Sequence, residues 1–163
     1  MLSVGTRTLG FALLAFLLAG CNEQAGSDAA AVPVAVASGD ECHLCGMLIL
    51  EFPGPKGELY LRNDTAVKKF CSTRDLFAMV LDPEYQHQVR QIFVHDMGKS
   101  PWQTPDDSAF IDGKTAWYVL GSARDGAMGH TLASFGEREA AERFARDFGG
   151  SIKRFEELTV SSL

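Results

Sequence analysis

The residues most able to do chemistry fall in one short run, Cys42-His43-Leu44-Cys45-Gly46-Met47. A C-x-x-C turn brings two sulfurs to one point, and a thioether follows two residues later. Soft thiolate and thioether donors favour Cu(I), which accepts two or three ligands and so leaves room to exchange them with a partner. Three other chemistries use the same spacing. A structural zinc site needs four closed ligands, commonly from two such pairs, and no second pair is present. A thiol oxidoreductase sets its C-x-x-C at the start of a helix, where the dipole lowers the nucleophile's pKa. Here the motif runs into Met47-Leu48-Ile49-Leu50, which reads as a strand. The bland alternative is a Cys42–Cys45 disulfide in an oxidising compartment.

Other donors sort by context. Met128, in Gly126-Ala127-Met128-Gly129, sits in a glycine-flanked turn and not on an apolar stripe, so packing explains it poorly. His95 and Met97, in His95-Asp96-Met97-Gly98, share that turn context and follow as weaker candidates. Cys71 lies on the apolar face of an expected helix and reads as a small core residue, as does Met79. His43, His87 and His130 have no partner spacing, and Trp102 and Trp117 read as packing. The expected site is therefore one Cu(I) on Cys42 and Cys45, completed by Met47 or Met128. The sequence holds no Gly-x-Ser-x-Gly elbow, no His-Glu-x-x-His and no phosphate-cradling loop, so a binding protein is expected and not an enzyme.

Those residues need a compartment and a scaffold. The chain opens with Arg7, an apolar run from Leu9 to Ala19 and then small residues, the pattern of a secretory signal peptide over 1–20 and too short to cross a bilayer. Leu18-Ala19-Gly20-Cys21 looks like a bacterial lipobox, so Cys21 is the expected acylation site, anchoring the chain by its lipid on the periplasmic side of an envelope membrane. Asn22, where retention signals carry Asp, favours the outer membrane. The stretch 21–40, rich in Ala, Val, Ser and Gly, reads as a tether, with folding expected from near Gly39. Removing residues 1–20 takes away one of fifteen basic residues and none of the twenty-one acids. A chain this acidic is a poor nucleic-acid binder. Of the four cysteines three remain beside Cys21, an odd number that does not make a disulfide framework.

The fold class expected is α+β, as two small tandem strand-strand-helix-strand units over 41–98 and 114–160, joined by a linker at 99–113. In the first unit, 46–52 and 58–62 read as a hairpin about Pro53-Gly54-Pro55-Lys56-Gly57. Val67, Phe70, Cys71, Phe77, Ala78 and Leu81 recur at helical spacing, and 89–94 is β-rich. In the second, strands are expected near 116–120 and 130–135. A helix follows, opened by the capping-box pattern Ser134-x-x-Glu137 and closed by Gly149-Gly150, and then a strand near 152–158. Ala66-Val67-Lys68-Lys69-Phe70 matches Ala140-Ala141-Glu142-Arg143-Phe144 in pattern, which suggests duplication.

With these segments in view, the chain resembles the NosL family. The likeness rests on the lipobox at Cys21, the Cys42–Met47 run, Phe52-Pro53-Gly54-Pro55-Lys56-Gly57, Lys69-Phe70-Cys71-Ser72-Thr73-Arg74-Asp75, Phe93-Val94-His95-Asp96-Met97-Gly98 and Gly126-Ala127-Met128-Gly129. The resemblance implies a Cu(I) metallochaperone that delivers metal for the copper-sulfide centre of nitrous oxide reductase. It implies as partners that enzyme and a membrane ABC-type complex of the same maturation system. It also implies a strand-strand-helix-strand fold shared with organomercurial lyase, a chemistry that needs a thiolate pair and a carboxylic acid. The sequence marks no acid for that role.

Overall fold

The computed structural model describes residues 30–163, so the leader over 1–20, Cys21 and the tether as far as residue 29 lie outside the described residues. Order begins earlier than the composition suggested. Tyr60 donates its hydroxyl to Val32 O at 2.7 Å, the Val34 N–H donates to both Glu58 carboxylate oxygens, and the Val36 N–H donates to Asp107 at 2.8 Å. Val36 itself is buried in the core. Small, weakly patterned residues let this strap lie flat on the sheet, held by side chains that its own sequence does not announce.

In the first half, strands β1 (Gly57–Leu61) and β2 (Lys68–Phe70) form an antiparallel hairpin. Helix α1 (Thr73–Val80) follows, and β3 (Val89–His95) returns beside β1. The strand expected over 46–52 is absent. Leu48 makes only an isolated bridge to Glu41, and Ile49–Glu51 is a single 3-10 turn. Two prolines just beyond it have no N–H to offer a ladder, so pairing resumes only at Gly57. The helix also starts later than its apolar period implied. Lys68 to Phe70 form the second strand, with Val67 just ahead of it, and Ser72 opens α1 as N-cap, its hydroxyl accepting from the Asp75 N–H at 3.1 Å.

The expected linker contributes a strand, β4 (Phe110–Asp112), which pairs with β3 and completes a four-stranded sheet of order β2-β1-β3-β4. At three residues it is too short to show as a period between Pro105 and Gly113. The second half follows the first half's order. Strand β5 (Trp117–Leu120) is followed by a small hairpin of β6 (Asp125–Gly126) and β7 (Gly129–His130). Then come β8 (Ala133–Phe135), α2 (Arg138–Phe148) and β9 (Ser151–Arg154), in a sheet of order β8-β5-β9. In each half the first strand is central and the strand after the helix lies on its far side. The five-residue match does not align the halves, because Ala66–Phe70 runs into β2 while Ala140–Phe144 lies within α2.

Nor is Ser134 the cap of α2. Glu137 occupies that position without a side-chain cap, and the Ser134 hydroxyl donates to His95 O at 2.7 Å, joining the two halves. The helix does end at Gly149-Gly150, both at positive φ. Phe77 from α1 packs edge-on against Tyr118 from β5, so the main core draws on both halves. Trp102, Trp117, Phe135 and Phe144 form a second cluster under α2.

Candidate metal centre

Three chain segments meet beside the N-terminus of α1. The Cys42–Met47 turn is closed by the Cys42 N–H on Met47 O at 2.8 Å and the Gly46 N–H on Cys42 O at 2.9 Å. Gly46 makes this possible at φ +75°, where a side chain would be strained. The His43 N–H donates to Lys69 O at 2.8 Å, which fixes the turn to β2. Cys71 follows that strand directly, and Asp75 projects from the first turn of α1. The sulfurs of Cys42, Cys45 and Cys71 and a carboxylate oxygen of Asp75 all lie within 4.8 Å of one another.

Within this group Cys45 Sγ lies 3.5 Å from Cys71 Sγ, and the thiols of Cys42 and Cys71 reach Asp75 Oδ2 at 3.4 and 3.5 Å. Cys42 and Cys71 are buried and Cys45 is exposed, so the cluster opens to solvent through one sulfur. Hydrogen bonding from Cys71 pulls the Cys42 thiol down to about 5. The same contact, with burial, pushes Cys71 well above the thiol range, and burial raises Cys45. Behind Cys71 lies Lys56, whose ammonium donates to Cys71 O at 3.1 Å and which burial lowers to about 8.

The structure thus brings together Cys42 and Cys45, as expected, and adds two groups. Cys71 is a core residue, completely buried, but its sulfur also faces the C-x-x-C turn. Asp75 supplies the acid that the sequence did not mark. The signal for both was the Cys71-x-x-x-Asp75 spacing across the Ser72 cap, together with the odd thiol count. Met47 is half-buried against the main core. Met128 is 51 % exposed at the tip of the β6–β7 hairpin, where its carbonyl accepts from Arg74 of α1 at 3.4 Å. Met97 packs in the second cluster, away from the turn role expected of it.

His95 is turned to structural use. It is buried, stacked on Phe110, and its Nδ1 accepts the Lys56 N–H at 3.1 Å. That bond places the ring proton on Nε2, so neither nitrogen has a lone pair free for a metal. Asp107 Oδ1 lies 3.4 Å from Nε2, and among the described residues Nε2 has no hydrogen-bond partner. Burial holds the ring neutral, lowering it to about 4.

Residues 33–163 match the NosL family profile. The chain belongs to the NosL family. It is 46% identical over 160 residues to the copper-binding lipoprotein NosL of Stutzerimonas stutzeri, covering 98% of this chain and 83% of that protein. The copper-binding lipoprotein NosL of Achromobacter cycloclastes is 34% identical over 146 residues, 88% of this chain and 75% of that one. The crystal structure of the copper chaperone NosL from Shewanella denitrificans superimposes with a TM-score of 0.79 at 55% identity, covering 80% of this chain and 97% of that chain. The NosL match spans all four converging groups, and with them the α+β fold that carries the cluster.

Proposed function

We propose that this chain is a copper chaperone of the cell envelope that holds one Cu(I) on the thiolates of Cys42, Cys45 and Cys71. The observation that carries this reading is the convergence of three free sulfurs, two buried and one exposed. Soft, low-coordinate Cu(I) suits such a set better than hard ions do. The names of the relatives, copper-binding lipoprotein and copper chaperone, support the cargo. Asp75 is the wrong ligand type for Cu(I), but its Oδ2 lies within reach of both buried sulfurs and is placed to relay the Cys71 proton to solvent as the metal arrives. The exposed Cys45 is where a ligand from a partner would enter, so release follows by exchange without unfolding the site. Met128, on the hairpin that leans on α1, is the proposed additional soft donor, with Met47 as the other.

Acylated Cys21 would tether the domain to the membrane, the outer one by the Asn22 argument, facing the periplasm. Delivery to an ABC-type maturation complex and to the copper-sulfide centre of nitrous oxide reductase extends this reading from the family. A competition titration of the reduced chain against a chromophoric Cu(I) chelator tests it, with about one Cu(I) per chain expected, in line with the single cluster among the described residues. Two thiolates beside a carboxyl also meet the needs of carbon–mercury protonolysis, a second reading that Asp75 favours. Two thiols would take the mercury while Asp75 relays one of their protons to the carbon, releasing hydrocarbon and one proton. Incubation with methylmercury and headspace analysis decides it, and release of no methane leaves the chaperone reading alone.

A further inference from the structure

Lys56 is only 2 % exposed, yet among the described residues no carboxylate lies within ion-pair distance of its ammonium. Its three donors go to main-chain carbonyls, Phe52 O at 2.5 Å, Pro53 O at 3.2 Å and Cys71 O at 3.1 Å. Carbonyl dipoles satisfy the hydrogen bonds but not the net charge, and a buried charge without a counter-charge is costly. Neighbouring His95 is neutral, and the nearest carboxylate on that side, Asp107, lies beyond the ring at its Nε2 and makes no ion pair with the ammonium. On the other side of Cys71 lies the thiol cluster. Each thiolate brings one negative charge and Cu(I) one positive, so a site using two or more thiolates is anionic once loaded.

We infer that Lys56 is the built-in counter-cation of the loaded thiolate site, a positioning residue that acts through Cys71. It is fixed by the Phe52-Pro53 carbonyls on one side and by Cys71 on the other. Its charge therefore sits at the wall of the site before metal arrives and needs no rearrangement when it does. The inference rests on the copper reading above and adds to it the group that makes a desolvated anionic complex tolerable.

The test is a Cu(I) competition titration of the full chain, reduced and anaerobic in detergent, comparing the parent with Lys56→Gln. Glutamine can still donate to a carbonyl but carries no charge. The same pair is measured in a Cys45→Ser background, where the loaded site has one thiolate fewer. The expected result is about a tenfold loss of Cu(I) affinity for Lys56→Gln, shrinking to about threefold or less beside Cys45→Ser. Equal affinity of parent and Lys56→Gln, or the same penalty in both backgrounds, would overturn the inference, because a mere structural staple gives additive losses. If Lys56→Gln does not fold, Lys56→Met replaces it on the same axes. Failure of both neutral variants to fold makes Lys56 a requirement of the metal-free protein and overturns the inference too. A parent that takes up no Cu(I) overturns the copper reading itself, before any variant is compared.

Discussion

The sulfurs of Cys45 and Cys71 lie 3.5 Å apart although the residues are 26 positions apart in the chain. One belongs to a solvent-facing turn and the other is a fully buried residue between β2 and α1. This pairing turns a local C-x-x-C motif into a three-thiol site, and it makes Cys71 the most informative single substitution.

Cys71→Ser removes a soft donor and leaves a hydroxyl in the core. Cu(I) affinity should fall by about tenfold or more, and stability by on the order of 1–3 kcal/mol. Chelator competition and urea unfolding read the two losses separately. Unchanged affinity would confine Cys71 to packing.

Asp75→Asn keeps the shape and one acceptor but loses the ability to take a proton. The main-chain contact of residue 75 with the Ser72 hydroxyl is retained, so α1 should form normally. Cu(I) uptake, followed by stopped-flow absorbance of the copper–thiolate band, should slow by about threefold to tenfold at neutral pH. An identical rate would show that the thiol protons leave by another route.

Glu58 is completely buried on β1, and burial pushes its carboxyl up to about 7 from 4.5. Because the folded form holds this proton more tightly, its contribution to stability is fully present below 4.5 and is lost as pH rises through about 7. His95 has the opposite sign. Its folded value lies near 4, below the usual 6.5, so its contribution is present above 6.5 and lost as pH falls through about 4. Glu58→Gln is neutral throughout, so relative to the parent it should gain on the order of 3 kcal/mol as pH rises across the Glu58 window. Urea unfolding of both proteins on either side of that window checks it, and parallel profiles would contradict it.

Gly150→Ala probes the second half without touching the cluster. The glycine has φ +102°, and a Cβ there would lie 2.6 Å from Leu120 O and 2.8 Å from Val119 Cγ1. The expected cost is on the order of 1–3 kcal/mol, seen as a lower urea midpoint. Copper affinity should not change, since all four converging groups belong to the first half.

Much of this was legible in the sequence where period and punctuation agreed. Strand β3, strand β5 and the Gly149-Gly150 end of α2 fell where expected. So did the α+β class and the C-x-x-C turn. The errors came where one signal served two structures. Phe70 and Cys71 face the core from the end of a strand, yet at their spacing from Phe77 and Leu81 they also fit a helix face. Ser134-x-x-Glu137 satisfies a capping pattern, but Ser134 is spent on His95 O across the molecule. Asp75 carried only its spacing from Cys71 as a signal, easily passed over because an acid in a helix's first turn is ordinary. Only the fold brings it to Cys42, 33 positions away.

The central claim is that three thiols act together on one soft metal. Its most direct test is an anaerobic Cu(I) titration of the reduced full chain against a chromophoric chelator. Cys42→Ser, Cys45→Ser and Cys71→Ser are run singly and together. The account predicts about one tightly held Cu(I) per chain, weakened by every single substitution and abolished by the triple one, as expected of one shared cluster. Retention of tight binding in the triple variant would contradict it and move the copper site elsewhere in the protein.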